Sequence, residues 1–364
     1  MAIEFADFLN IEKDYIDVSE DIFSYAEDAY FLRILTKLNT DPADSPKIYW
    51  KDYDIPSLYT LASGTYNATA TDIELYSVAG IYAGTVLINT ATGEHMRVTA
   101  VNRSTNHVTV TRGVAGTTAQ NIGADANIYI LGVAEAESGS GPEVTVSKGE
   151  AYNYAQIWKH EYPITHTVEA TKFRLNALKQ DLNELFFKHR VEIENSMFWG
   201  QRDYSNSIYY NGGMNYWVPG DNVGTVATGS FNRDWFDQFL IEKGFAYGSN
   251  TKYMFAGNTA FRYIYNLYVA GERNLTTDER VGLKVVQILA PHGGVLHVIR
   301  HPLFKGDYEK VAFIVDMDNV TYRPLIKSGM YKLPDTGSGI TWQLRTQASL
   351  EVRGPYTHAK IVLT

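Results

Sequence analysis

The sequence contains no cysteine among its 364 residues. This absence excludes disulfide bonds, thiol nucleophiles and metal or iron–sulfur sites with cysteine ligands. Stability must therefore come from packing or from association. The 45% of hydrophobic residues are enough to build real cores in a chain of this length, which corresponds to about two to three domains.

Long apolar runs and blocks of basic residues are also missing. No stretch approaches the roughly 18 apolar residues that a membrane span needs. The first residues are partly acidic, where a secretory signal has a basic head. The formal net charge of −9 is opposite in sign to that of proteins that neutralise phosphates. We therefore expect a soluble protein, made in a cytoplasm, that does not bind DNA tightly.

Catalytic and metal-binding patterns are lacking as well. His292-Gly293-Gly294 is similar to an esterase oxyanion loop, but no Gly-x-Ser-x-Gly motif accompanies it, so we expect a turn between strands. His297 and His301 precede a proline in a strand-like segment, so they do not form a helical zinc pair. Asp316-Met317-Asp318 follows an apolar run, which favours an acidic turn over a cation site. We predict no catalytic residue, no cofactor and no metal.

Aromatic residues are abundant, with 26 Tyr, 16 Phe and 6 Trp. Tyr and Trp are favoured at protein interfaces, because a large apolar body is buried there while a polar tip stays hydrogen-bonded. Composition alone leaves two interpretations open, an interface-rich protein or one with aromatic cores and ordinary surface tyrosines.

The first 165 residues predict a loose arm and a long excursion. Apolar residues at helical spacing predict a helix over Asp21–Leu38, with Ser19 as its N-cap. Two prolines after it end the helix, and an aromatic strand follows at Lys47–Tyr53. Apolar residues two apart from Tyr66 to Leu131 predict an inserted antiparallel β module. The aromatic segment Ala151–Tyr162 is the natural strand partner of Lys47–Tyr53. Such a ribbon is marginal in water, and we expect a neighbouring subunit to support it.

The second half predicts a long helix followed by a compact α+β unit. Leu178, Leu182, Leu185 and Ile193 form one apolar stripe within a helix over Thr167–Gly200, and we expect His189 on that side to be a core or interface histidine. Further helices and strands alternate through the next unit, and strands return toward the C-terminus. The predicted elements are helices at 233–245 and 260–272, strands at 252–256, 285–289, 295–299 and 311–316, and final strands over 340–364.

This order of elements resembles the major capsid fold of tailed bacteriophages, named after phage Hong Kong 97. More specifically, it is similar to the major head proteins that carry a β insertion in the extended loop. The resemblance covers essentially the whole chain and is carried by residues 93–101 (GEHMRVTAV), 108–113 (VTVTRG), 153–160 (NYAQIWKH) and 350–359 (LEVRGPYTHA).

The resemblance implies an α+β capsid fold with five parts. They are an N-terminal arm with a short helix at 1–46, an extended loop at 47–65 and 132–165, an inserted all-β domain at 66–131, a peripheral domain with the spine helix at 166–232 and 326–364, and an axial domain at 233–325.

The resemblance also implies a structural function without catalysis. Copies would assemble as hexamers and pentamers into an icosahedral head that encloses double-stranded DNA without binding it specifically. Portal, scaffolding or decoration proteins would be further partners, and the protein would belong to the virion capsid. Two alternatives remain: a shell of a bacterial enzyme-enclosing nanocompartment, and a phage tail or adhesion protein whose β module binds glycans. The candidate interface residues are Tyr49, Trp50, Tyr53, Tyr152, Tyr154, Trp158 and Lys159.

Overall fold

The structure is a computed structural model, and it describes residues 15–17, 29–52, 58–135, 137, 141, 150–165, 175–269, 276–278, 285–334 and 339–364. The chain divides into two compact units, one formed by Met1–Asp52 with Glu150–Thr364 and the other by Tyr53–Gly149. The smaller unit therefore interrupts the larger one along the sequence. The predicted α+β class is confirmed by the helices and sheets of the larger unit. No helix in the described ranges is long and apolar enough to cross a membrane.

The smaller unit is a six-stranded antiparallel barrel. Its strands, in spatial order, are Tyr59–Leu61, Asn127–Val133, Thr85–Asn89, Glu94–Asn102, His107–Thr111 and Asp72–Glu74. A bridge between Ala62 and Leu75 joins the two edge strands and closes the sheet. Alternating side chains such as Leu87, Met96 and Val108 fill the interior, which confirms the period-two interpretation.

The barrel begins before residue 66, where the sequence placed its boundary. Strand Tyr59–Leu61 pairs with Asn127–Val133, yet its one fully inward side chain is the polar Thr60. A strand of three residues with a polar inner position has no hydrophobic alternation, so its sequence carries no strand signal. Its place in the barrel depends on backbone pairing with a distant segment.

A buried ion pair holds one loop of the barrel. Both carboxylate oxygens of Glu94 lie 2.7 Å from guanidinium nitrogens of Arg112, and they also accept the backbone N–H groups of Gly113 and Gln120. Burial by itself would raise the pKa of Glu94, but these hydrogen bonds and the positive charge lower it. The pair therefore fixes the loop between Gly113 and Gln120.

The larger unit contains a four-stranded sheet and a seven-stranded sheet. The four-stranded sheet has the order Tyr15–Asp17, Val320–Lys332, Gly339–Val352 and Gln156–Thr165. The seven-stranded sheet has the order Val223–Val226, Ala359–Leu363, Val311–Val315, Thr251–Ala256, Val295–Arg300, Val285–Leu289 and Thr276–Asp278. Two short antiparallel pairs complete the unit, Lys47–Lys51 with Glu150–Tyr154 and Asp203–Ser205 with Ile208–Tyr210.

The C-terminal strand differs from the predicted domain division. The sequence grouped everything after residue 325 with the spine helix, but Ala359–Leu363 lies in the seven-stranded sheet between Val223–Val226 and Val311–Val315. Ala359, Ile361 and Leu363 bury their side chains in the core of that sheet. Sequence alternation identifies such a strand but does not reveal which sheet contains it.

The spine helix is Leu175–Trp199 and is about 37 Å long at about 1.5 Å per residue. Leu182, His189, Ile193 and Met197 are buried on one side, as the predicted stripe requires. The other described helices are Tyr30–Leu38, Met214–Trp217, Arg233–Phe239 with a π-helical turn at Leu240–Gly244, and Asn258–Val269. Residues 21–28 of the predicted first helix, and Ser19 as its cap, lie outside the described residues.

A carboxylate of the spine helix holds the start of helix Tyr30–Leu38. The buried Glu194 accepts the backbone N–H groups of Phe31 and Leu32, each at 2.9 Å, and lies 2.8 Å from Nε2 of His301. Because backbone donors at a helix N-terminus lack partners within the helix, a carboxylate there satisfies them. In the described part of the chain Nδ1 of His301 has no hydrogen-bond partner, so Nε2 is the ring nitrogen that donates to the carboxylate.

The segments weighed as catalytic or metal sites have structural roles. His292-Gly293-Gly294 forms the predicted turn, closed by the hydrogen bond from Ala290 N–H to Gly294 O. His297 lies in strand Val295–Arg300 and His301 follows it, so they do not share a helical face. Asp316 accepts hydrogen bonds from Ser249 and Asn319. No group of three or more His, Asp or Glu side chains among the described residues could hold a metal ion.

Candidate interaction surface

The predicted aromatic strands do pair, and they form a ribbon of Lys47–Lys51 and Glu150–Tyr154 with two different faces. Tyr49 lies directly opposite Tyr152, and Ile48 lies opposite Asn153. Because side chains alternate along a strand, Ile48 and Trp50 point to one face and Tyr49 to the other. Trp50 is 5% exposed and Tyr49 is 55% exposed.

The inner face of the ribbon packs on its own chain. The rings of Trp50 and Trp217 lie 5.2 Å apart, and Ile48, Ala155 and Ala43 complete a small hydrophobic cluster with them. The expectation that the ribbon lacks support within its own subunit is therefore wrong. An isolated two-stranded ribbon is unstable in water, and here the packing of one face removes that problem.

Asn153 anchors the ribbon through a buried network. Its amide Nδ2 lies 2.9 Å from Gly212 O and 2.7 Å from Leu350 O, and its Oδ1 accepts the Gly212 N–H at 2.8 Å. Asn211 joins the same network by accepting the Leu350 N–H. These bonds attach the ribbon to strand Gly339–Val352 and to the loop after the hairpin.

The two ribbon strands then separate at Ala155. The sequence treated Ala151–Tyr162 as one strand, but Glu150–Tyr154 pairs with Lys47–Lys51 while Gln156–Thr165 pairs with Gly339–Val352. The buried Ala155 donates its N–H to Pro46 O at the junction. This change of partner turns the outer face of the ribbon toward the hairpin at residues 203–210.

The outer face carries a continuous row of tyrosines, here called the tyrosine surface: Tyr49, Tyr152, Tyr154, Tyr204 and Tyr209. Adjacent ring centroids are 4.7 to 6.0 Å apart, and the rings of Tyr204 and Tyr209 are stacked across the hairpin. Partial burial raises the pKa of Tyr209, with a further contribution from Tyr204. The row of tyrosines therefore presents aromatic ring faces and hydroxyl groups.

Two cations lie against these rings. Nζ of Lys47 is 4.0 Å from the Tyr152 ring centroid, and the guanidinium carbon of Arg202 is 3.9 Å from it. Arg202 also donates to the backbone carbonyl of Tyr152. A hydrogen bond with Tyr49 raises the pKa of Lys47, so its positive charge is retained. The surface combines aromatic area with positive charge.

The structure places the predicted interface residues in four different settings. Tyr49, Tyr152 and Tyr154 belong to the tyrosine surface, and Lys159 is exposed on the next strand. Trp50 and Trp158 are each 5% exposed, so they stabilise the core of their own subunit and offer little area to a neighbour. Tyr53 lies outside the described residues.

Sequence reasoning missed Tyr204, Tyr209, Lys47 and Arg202. The segment around Tyr204 and Tyr209 is rich in Gly, Asn and Ser, a composition that indicates a loop or short strands. Its available signal was two aromatic residues flanking the tight Asn206-Ser207 turn, where both turn residues have positive φ. That pattern predicts a hairpin but not what it packs against.

A family model described as SU10 major capsid protein matches residues 5–364. A curated major capsid protein of Pseudomonas phage PaMx41 is 26% identical over 137 residues, which cover 37% of this chain and only 32%, about a third, of that protein. Two solved structures are also similar. The capsid of a native GTA particle has a TM-score of 0.47 at 9% identity, covering 64% of this chain and 80% of that one. The SrpI encapsulin of Synechococcus elongatus PCC 7942 has a TM-score of 0.45 at 10% identity, covering 59% and 75%.

Proposed function

This chain belongs to the SU10 major capsid protein family, and from that premise we propose that it assembles with copies of itself into the closed head of a tailed phage. The copies form hexamers and pentamers, and the shell encloses double-stranded DNA without gripping it. Assembly takes place in the host cytoplasm, and portal, scaffolding or decoration proteins are further partners. The role is structural and involves no catalysis.

The observation that carries the proposal is the tyrosine surface on a supported ribbon. Tyr49 and Tyr204 remain 55% and 48% exposed, although the inner face of the ribbon is packed on its own chain. Rigid aromatic side chains lose little conformational entropy on binding and are enriched in interface centres. A row of such residues on a fixed support is suited to contact with a second copy.

The charge distribution supports the same contact. Residues 1–28 contain nine acidic side chains and one lysine, so they hold −8 of the formal net charge of −9. The tyrosine surface carries Lys47 and Arg202. Opposite charges on the arm of one copy and the ribbon of another would steer association and set its register.

The parts of the fold are assigned accordingly. We assign the seven-stranded sheet and its helices to the axial domain, the four-stranded sheet with the spine helix to the peripheral domain, and the ribbon to the base of the extended loop. The barrel is then an insertion in that loop. Because the C-terminal strand pairs within the seven-stranded sheet, the axial domain includes residues after 325.

Electron microscopy of the purified full-length chain tests the proposal. We expect closed shells, or rings of five and six subunits, whose fraction rises with protein concentration. A compact monomer at every concentration would overturn the proposal. The nucleic acid content of particles from infected cells decides between a phage head and a protein-filled compartment, because only the head contains double-stranded DNA.

A further inference from the structure

Five polar side chains form a hydrogen-bonded chain from the surface to the interior. Glu192 Oε1 lies 3.1 Å from Nε2 of His160, whose Nδ1 lies 2.9 Å from Nδ1 of His189. Nε2 of His189 lies 2.7 Å from the hydroxyl of Thr346, which lies 2.7 Å from the hydroxyl of Ser328. Nδ1 of one histidine thus faces Nδ1 of the other, so only one of these two nitrogens can carry a hydrogen.

The chain crosses four elements and ends at an irregular point. Glu192 and His189 belong to the spine helix, while His160, Thr346 and Ser328 belong to three neighbouring strands of the four-stranded sheet. The Glu192 side chain is 53% exposed, whereas His189 and Thr346 are fully buried. Ser328 lies in the register shift between Ile326 and Gly329, where strand Val320–Lys332 bulges.

The surroundings determine the hydrogen positions when both histidines are neutral. The carboxylate of Glu192 only accepts, so His160 carries its hydrogen on Nε2 and leaves a lone pair on Nδ1. His189 then donates from Nδ1, and its Nε2 accepts the hydroxyl hydrogen of Thr346. The oxygen of Thr346 is free to accept from Ser328.

We propose that this chain is a proton-driven relay, in which proton uptake by His160 reverses the three hydrogen bonds between His160 and Ser328. A doubly protonated His160 donates to Glu192 and to His189 at once. His189 must then accept at Nδ1 and carry its hydrogen on Nε2, which donates to Thr346. The Thr346 hydroxyl turns to donate to Ser328, so the added charge stays at His160 while the strand bulge experiences a changed hydrogen-bond pattern.

The groups around His160 favour the proton there and not on His189. The spine helix presents Glu192 and His189, and the more distant Lys188 is paired with Glu184. On the sheet side the cross-strand partner of His160 is the uncharged Leu344. The neighbouring Lys159 and Glu161, and Arg345 opposite Lys159, point to the other face by strand alternation.

Histidine-selective 15N NMR of the full-length chain tests the relay, because long-range couplings distinguish the two neutral tautomers from the cation. The titration runs from about pH 8 to about pH 4, around the usual histidine range. We expect His189 to change from the Nδ1–H to the Nε2–H tautomer with the same midpoint at which His160 becomes cationic. His107, a barrel histidine whose Nδ1 lies 3.0 Å from Asp72, serves as a control outside this hydrogen-bonded chain.

Either of two results would overturn the relay: His189 keeps one tautomer while His160 titrates, or His189 itself becomes the cation. Variant Thr346→Val provides a second measurement, because it leaves Nε2 of His189 without a partner in both forms. A buried N–H without an acceptor, which the cationic form of His160 requires, is tolerated less well than a buried lone pair without a donor. We expect the midpoint of His160 to fall in T346V, and an unchanged midpoint in a folded variant would contradict the proposal. The wild-type titration decides by itself if T346V does not fold.

Discussion

Trp50 and Trp217 pack 5.2 Å apart and join the aromatic ribbon to the body of its own subunit. The neighbouring residue Tyr49 points away from that contact and remains exposed. Adjacent aromatic residues of one strand therefore have different roles, one in folding and one in the proposed association.

The first prediction separates these roles by stability. Trp50→Ala should lower the free energy of unfolding of the unassembled subunit by about 3–5 kcal/mol, because it leaves a cavity against Trp217. Tyr49 is also a large aromatic residue, but it is exposed. Tyr49→Ala should therefore change the free energy of unfolding by less than about 0.5 kcal/mol. Urea unfolding measures the free energy of both variants by circular dichroism. Tryptophan fluorescence serves as a second probe for Tyr49→Ala, which keeps Trp50. Equal losses would contradict the two-faced ribbon.

The second prediction concerns assembly. The double variant Tyr49→Ser with Tyr204→Ser should keep the thermal stability of the subunit but raise the concentration needed for assembly at least about tenfold, since a loss of about 1.4 kcal/mol per contact suffices. Light scattering against concentration measures this change. Tyr356→Ser is the matched control, because Tyr356 is 42% exposed but lies outside the tyrosine surface. An equal effect of the control would remove the case for the tyrosine surface.

The third prediction follows from charge. Lys47→Glu should weaken assembly and Lys47→Arg should preserve it, because the acidic residues 1–28 are the proposed partner. Added salt should weaken wild-type assembly but affect Lys47→Glu less, since screening acts on exposed charges. Purely apolar contacts strengthen with added salt. If wild-type assembly did the same, residues 1–28 would not be the partner of Lys47.

The fourth prediction concerns acid stability. Burial, with His160 nearby, lowers the pKa of His189 to about 3, and burial, with Lys252 nearby, lowers that of His358 to about 4. The unfolded chain has histidine pKa values of about 6.5, so it binds protons at a higher pH than the folded state does. The stabilising contribution is therefore complete above pH 6.5 and is lost as the pH falls toward the folded-state pKa. Each histidine should add a slope of about 1.4 kcal/mol per pH unit between its two pKa values.

Denaturant unfolding of the subunit at several pH values measures that slope. His189→Gln and His358→Gln should each reduce the slope by about 1.4 kcal/mol per pH unit, which is the contribution of one bound proton. His95→Gln is the control, because His95 lies on the partly exposed side of a barrel strand. A slope that survives both substitutions would assign acid sensitivity to other groups.

The fifth prediction concerns the barrel. Arg112→Met leaves the buried Glu94 without its cation and should destabilise the barrel by about 3–5 kcal/mol. Hydrogen exchange of the full chain should show faster exchange over residues 113–120. Arg97→Met removes an ion pair with Glu135 that is partly exposed, and it should cost less than about 1 kcal/mol. Similar exchange in both variants would show that Glu94 does not hold the loop.

Most of the fold could be predicted from particular residues. The alternation of Leu87, Met96 and Val108 identified barrel strands, and the spacing of Leu182, Ile193 and their neighbours identified the spine helix. The candidate site was predicted less well, because Trp50 and Tyr49 have similar interface propensity in sequence. Only the position of Trp217 shows which one faces inward.

The sequence by itself determined the periodic elements, the lack of cysteine chemistry and the concentration of negative charge in the first 28 residues, since these depend on local spacing and composition. The tertiary structure decided which sheet receives Ala359–Leu363, where the chain changes partner at Ala155, and how Tyr204 and Tyr209 extend the row begun by Tyr49. These features depend on contacts between segments far apart in the chain. Local spacing carries no information about such contacts, because the same alternating strand can pair with any compatible edge.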